Sequence, residues 1–160
     1  MLAAKTNAMR ILDGLGVAYS TREYEADPND LAAETAAAKL GLDPAQVFKT
    51  LVARGDRTGV MLAVIPAGTR LDLKALARAS GNRSTSTVPL KEVRALTGYV
   101  RGAVTALGCK KAYRVFLDAS AERLALIGVS GGSRGVEILM APRDYARAVG
   151  AIVAPIATVA

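Results

Sequence analysis

The segments VFKTLVAR (47–54), GDRTG (55–59) and VMLAVI (60–65) spell a β-hairpin, and its second strand constrains the fold more than any other stretch. A run with no polar face must be covered on both sides, so the hairpin has to sit between other layers. The chain has 160 residues, 51% of them hydrophobic, which is enough for one core to supply that cover. Aromatic residues make up only 4%, with two Phe and no Trp, so the core must be built mainly from Ala, Val, Leu and Ile.

Short elements surround the hairpin. Ala8, Ile11, Leu12 and Leu15 share one helical face behind Thr6 as N-cap, and Gly16 ends that helix. VAYSTREY (17–24) alternates like a strand and exits at Asp27-Pro28; Asn29 or Asp30 can cap the Ala-rich LAAETAAAKL, which stops at Gly41. Asp43-Pro44 suggests a further short turn of helix. Asp72 caps LKALARAS, and Pro89 opens LKEVRAL. Strands follow at 112–118, 124–129 and 136–140, Pro142 opens a last helix, and the tail AIVAPIATV reads as an edge strand interrupted by Pro155. Helices and hairpin-spaced strands without regular β-α-β alternation indicate an α+β fold. We expect one domain over 1–160, with a mixed, strongly curved or barrel-like sheet flanked by short helices.

Histidine is absent and cysteine occurs once, as Cys109. Ser-His-Asp and Cys-His catalysis are therefore excluded, as are an intrachain disulfide and an imidazole- or thiolate-built zinc site. No metal or other cofactor is expected. The start of the chain lacks the unbroken apolar stretch of a signal peptide, and no apolar run approaches the ~18 residues of a membrane span. A cytoplasmic location without membrane association is the expectation. Residues 1–60 hold 7 Lys/Arg against 8 Asp/Glu, so of the net charge of +7 the remainder of the chain carries +8. That half suits an anionic partner, nucleic acid before membrane, although a basic surface also serves solubility alone.

Three segments can carry chemistry. In Phe48-Lys49-Thr50-Leu51, Lys49 shares a strand face with an apolar neighbour, so it is either a cleft cation for phosphate or carboxylate or a solvated edge lysine. In TGYVRGAVTALGCKK (97–111), glycines such as Gly102 let the backbone approach a ligand, and Lys110-Lys111 can contact phosphate; a plain connection with solvated lysines fits as well. In VSGGSRG (129–135), Ser130, Gly131, Gly132 and Arg134 form either an anion-binding nest or an ordinary glycine-rich hairpin. The spacing is not that of a P-loop. Cys109 reads as a buried or semi-buried small side chain in preference to a nucleophile, and Ser130 could act as a nucleophile only with Lys49 as base.

In this order the segments resemble the YbaK/EbsC family, free-standing relatives of the editing domain inserted into bacterial prolyl-tRNA synthetases. The resemblance rests on Tyr24-Glu25-Ala26-Asp27-Pro28, Lys39-Leu40-Gly41, FKTL at 48–51, Leu71-Asp72-Leu73-Lys74, TGYVRG, LGCKK and VSGGSRG, and it covers nearly the whole chain. The VSGG-x-RG loop is similar to the branch acting on Cys-tRNA(Pro). The resemblance implies clearance of tRNA(Pro) mischarged with cysteine, the substrate's own thiol attacking its ester to leave a cyclic thiolactone. It implies Lys49, Gly102 and Ser130 as catalytic positions, and Tyr24, Thr50, Gly131, Gly132 and Arg134 as substrate-binding ones. Lys110 and Lys111 would meet the tRNA acceptor end, no DNA partner is expected, and prolyl-tRNA synthetase is a candidate partner. Gly102-Ala103 and Thr105-Ala106 depart from the family's usual middle motif, Arg101 stands at a usually apolar position, and LAAET lacks the usual aromatic. A non-catalytic module binding tRNA or a synthetase, a deacylase for another mischarged tRNA, and a Ser130 esterase are the competing readings.

Overall fold

The computed structural model describes residues 4–160; residues 1–3, which the expected domain span includes, lie outside the described residues. In chain order the elements are α1 (Asn7–Gly14), β1 (Ser20–Glu23), α2 (Ala33–Leu40), β2 (Phe48–Gly55), β3 (Gly59–Pro66), β4 (Thr69–Leu71), α3 (Leu73–Ser80), β5 (Thr85–Thr87), α4 (Leu90–Thr97) and β6 (Arg114–Asp118). A 3₁₀ turn over Ala119–Arg123 leads to β7 (Ile127–Ser130), β8 (Val136–Met140), α5 (Pro142–Val149), β9 (Ile152–Ala154) and β10 (Ala157–Val159). The fold is α+β with a mixed sheet, as expected.

β2 and β3 form the antiparallel hairpin at the centre of a five-stranded sheet ordered β5-β2-β3-β6-β9, in which β6 and β9 run parallel to their neighbours. β3 is covered on both faces. Leu62 and Val64 enter the larger core with α1, β7, β8 and α5, while Met61, Ala63 and Ile65 meet Leu76, Phe116 and Ile156 on the other side. Burying such aliphatic side chains contributes about 1.5–3 kcal/mol each, which explains why the apolar run can dictate the layering.

The strands do not close into a barrel. They form three ladders: the five-stranded sheet, the antiparallel β1-β8-β7 and the pair β10-β4. The first two touch through one parallel bridge, Val47 to Gly128, with the Gly128 N–H donating to the Gln46 carbonyl at 2.9 Å. β5 pairs with β2 only from Ala53 to Gly55. The edge of β2 between that pairing and the Val47 bridge therefore has no neighbouring strand, and a cavity opens along it.

Several local expectations change. α2 begins at Ala33 with no side-chain cap; Asp30 instead accepts from the Ala32 N–H (3.3 Å) and the Thr35 hydroxyl (2.9 Å), so it braces the approach to the helix. Asp43-Pro44 starts a turn rather than a helix, because Asp43 accepts from Ala45 N–H and Val47 is at once drawn into its bridge. The tail is two strands in different sheets, β9 beside β6 and β10 beside β4. The kink at Pro155 is held by buried Asp118, whose Oδ1 accepts from the N–H groups of Ile156 (2.9 Å) and Ala157 (3.0 Å). β4 and β5, three residues each, carry too little periodicity to be read from sequence.

A second polar knot pins the hairpin turn. Asn82 Oδ1 accepts from the N–H groups of Arg57 (2.8 Å) and Thr58 (2.9 Å), and its Nδ2 donates to Thr58 Oγ1 and Ser80 Oγ. Gly55 makes room, since a Cβ there would lie 2.2 Å from Asn82 Nδ2. Asn82→Ala strands these donors and acceptors, and we expect a loss of roughly 2–3 kcal/mol in urea unfolding. A change below about 0.5 kcal/mol, the scatter of neutral surface substitutions, would contradict the assignment.

Candidate active site

The cavity along the open edge of β2 has a volume of about 400 Å³, at the small end of ligand pockets. Five residues singled out in the sequence border it together: Tyr24 just after β1, Lys49 and Thr50 on β2, Gly102 in the loop after α4, and Ser130 at the end of β7. Gly131, Gly132 and the exposed Arg134 are not among the lining residues, nor are the exposed Lys110 and Lys111.

Lys49 is half-buried, and its Nζ donates to the Ala67 carbonyl at 2.9 Å. An ammonium has three donors, so two remain for a ligand. No carboxylate pairs with Lys49 among the described residues. Thr50 alternates to the opposite face of β2, beside the fully buried Tyr145, whose phenol is pushed upward by burial, and still borders the cavity at the strand's open edge. Ser130 Oγ accepts from the Gly132 N–H at 3.1 Å, and no hydrogen bond joins it to Lys49. A serine nucleophile has no base at hand in this arrangement.

The two glycine-rich loops brace each other. Gly132, at φ +90°, lies under Tyr99, where a Cβ would come within 3.1 Å of the ring; the Tyr99 hydroxyl donates to the Leu107 carbonyl. Gly131 donates its N–H to the Val136 carbonyl, so the N–H groups of Gly131 and Gly132 are both spent within the hairpin. Arg134 Nε donates to the Arg101 carbonyl at 2.9 Å. Gly102, at φ +85°, lets the facing loop close on Leu31, where a Cβ would stand 3.1 Å from that side chain. Cys109 donates to the Thr105 carbonyl, and burial pushes its thiol up to about 11, so it stays protonated and structural.

Sequence reasoning missed Glu137. It is 4% exposed, borders the cavity, and sits opposite Ser130 on β7 and Arg22 on β1. Arg22 reaches instead to the Leu40 carbonyl, and Glu137 Oε2 has no hydrogen-bond partner; it lies over Gly128, where a side chain would crowd it. Burial pushes the carboxyl up to about 8, leaving it largely neutral at pH 7. Its proximity also helps burial to raise the Tyr24 phenol. The available signal was an acid inside the apolar strand VEILM, which a solvated strand face does not require.

The cavity thus combines a half-buried lysine, a buried acid, hydroxyls and apolar walls with the exposed Arg101 and Glu34, and no nucleophile–base pair is seen among its described residues. Among curated proteins, the chain is 43% identical over 138 residues to a protein of Enterococcus faecalis provisionally named Cys-tRNA(Pro)/Cys-tRNA(Cys) deacylase EbsC, covering 86% of this chain and 84% of that one. It is 28% identical over 120 residues to YwhH of Bacillus subtilis, covering 75% and 76%. A crystal structure provisionally described as a trans-editing enzyme for prolyl tRNA synthetase shares the fold with a TM-score of 0.79 at 24% identity, over 98% of this chain and 99% of that one. The structure of a hypothetical protein aligns with a TM-score of 0.87 at 23% identity, over 96% and 100%. The family model for the aminoacyl-tRNA editing domain matches residues 27–148, from the approach to α2 through most of α5 and so around nearly all of the cavity. By that match and by the 43% identity, the chain belongs to the aminoacyl-tRNA editing domain family.

Proposed function

We propose that the protein is a trans-acting aminoacyl-tRNA deacylase that prefers Cys-tRNA(Pro) and lets the substrate supply the nucleophile. The observation that carries this reading is the make-up of the cavity interior: a half-buried ammonium with two spare donors and a buried carboxyl whose Oε2 has no hydrogen-bond partner, without a base poised beside a serine or cysteine. Such a site can orient a bound ester and stabilise charge, but it cannot itself attack. The name of the 43% identical relative supports the choice of substrate.

In the proposed reaction the cysteinyl sulfur bonds to the ester carbonyl carbon, the bond from that carbon to the ribose oxygen breaks, and the thiol proton ends on the released hydroxyl. The products are cysteine thiolactone and uncharged tRNA. Lys49 holds the terminal nucleotide through its two spare donors, and Gly102 and Thr50 shape the aminoacyl end. Glu137, while neutral, leaves room for the sulfur to take negative charge. The tRNA acceptor end is the partner, with prolyl-tRNA synthetase the candidate that would confer tRNA selection. No helix among the described residues is long and apolar enough to cross a membrane, which is compatible with work on soluble tRNA.

The test is a panel of labelled Cys-tRNA(Pro), Ala-tRNA(Pro) and Pro-tRNA(Pro) with purified protein. We expect the cysteinyl ester to disappear first, with thiolactone trapped as product. Loss no faster than in buffer, equal loss of all three, or binding without cleavage would each refute the reading.

A further inference from the structure

Of the residues lining the cavity, two are cationic, Lys49 inside and Arg101 at the rim. Arg101 is exposed, and its guanidinium has no hydrogen-bond or ion-pair partner among the described residues. Glu34, the exposed acid of the same lining, does not pair with it. The backbone beneath Arg101 is nevertheless fixed from three directions. Val100 accepts from the Ala103 N–H at 3.0 Å, Gly102 rests on Leu31, and Arg134 clasps the Arg101 carbonyl. A free, always-charged fork is thus presented from a rigid turn at the only described cationic point on the rim of this cavity.

A volume of about 400 Å³ accommodates one aminoacylated nucleoside and little more. Everything 5′ of that nucleoside must leave across the rim, beginning with its phosphodiester. We propose that Arg101 is a substrate-positioning residue that grips this phosphodiester, the planar guanidinium pairing with its oxygens. Lys49 then serves the nucleoside inside while Arg101 sets how deeply the acceptor strand enters. The assignment rests on the deacylase reading, and its test separates the two.

The experiment compares Cys-tRNA(Pro) with 3′-cysteinyl adenosine, which carries the same ester and no phosphate, each corrected for its uncatalysed loss. For Arg101→Ala we expect kcat/KM on the tRNA to fall about 10-fold, mainly through KM, with the nucleoside ester cleaved as by wild type. A single lost phosphate contact on a single-stranded end lowers the slope of log affinity against log salt by about 0.7. Arg101→Lys, which keeps the charge but loses the fork, restores that slope while recovering only part of KM. Melting temperatures should match wild type, because the exposed guanidinium has no hydrogen bond or ion pair to lose among the described residues. Unchanged tRNA kinetics and salt slope in Arg101→Ala, or equal losses on both substrates, would overturn the assignment. A wild-type protein inert toward both substrates would instead overturn the deacylase reading beneath it.

Discussion

Lys49→Ala is expected to lower kcat/KM for Cys-tRNA(Pro) by at least about 100-fold, the scale seen when one preorganised electrostatic contact is removed from a reaction site. Lys49 is the only cation inside the cavity among the described residues, so no neighbour can take its place. Lys49 is tied to the Ala67 carbonyl at 2.9 Å, and losing that bond costs about 1 kcal/mol. The flanking Phe48, Leu51 and Val52 keep their places in the two cores. A thermal melt lowered by a few degrees beside near-complete loss of turnover is the expected pair of results. Activity within threefold of wild type would remove Lys49 from the reaction.

The second large effect concerns Glu137 and pH. Its folded-state value lies near 8 because burial disfavours the charged carboxylate, against 4.5 for the free side chain. Between these values the folded protein binds the proton that the unfolded chain has released. The stability associated with this group is therefore full below about pH 4.5 and is lost as pH rises through 8. Glu137→Gln is neutral throughout, so it should match wild type near pH 4.5 and exceed it near pH 8. The gain should be roughly 2–4 kcal/mol, or about 5–10 °C in Tm. Activity should separate in the same range. The substrate thiol becomes a better nucleophile as it ionises, whereas an ionised Glu137 beside it opposes that charge. Wild-type kcat/KM should flatten or fall above pH 8, while Glu137→Gln continues to rise until the thiol is fully ionised. Parallel pH profiles for the two proteins would exclude an electrostatic role for Glu137, and parallel Tm curves would place its ionisation outside this range.

Much of the fold is written locally. The apolar run of β3, the cap at Asp72 and the stop at Gly81 each depend on neighbours within a few residues, and each is found where the pattern puts it. The misread positions share one cause. Asp43 has the chemistry of a helix cap, yet the residue that decides its turn is Gly128, through the bridge to Val47. The tail divides into two strands because Asp118, some forty positions earlier, binds the backbone just past Pro155. Neither contact leaves a trace in periodicity.

The candidate site divides in the same way. Lys49, Gly102 and Ser130 are distinctive in the sequence because charge, glycine or a hydroxyl interrupts apolar patterning, Tyr24 and Thr50 enter through the family resemblance, and the fold gathers all five around one cavity. Their surroundings were not legible. That Gly131 and Gly132 admit Val136 and Tyr99, and spend their N–H groups inside a turn, follows from how two loops pack. Glu137 shows the limit most clearly: one acid in VEILM gains its meaning only because β1 and β7 flank it and Gly128 leaves it room. By itself, the sequence determined the α+β class, the hairpin buried on two faces and the absence of imidazole chemistry, and it marked out the segments whose residues border the cavity. Only the tertiary structure decided where the sheet stays open, which glycines border the cavity, and which carboxyl is stripped of water, because burial and long-range pairing are properties of segments meeting in space.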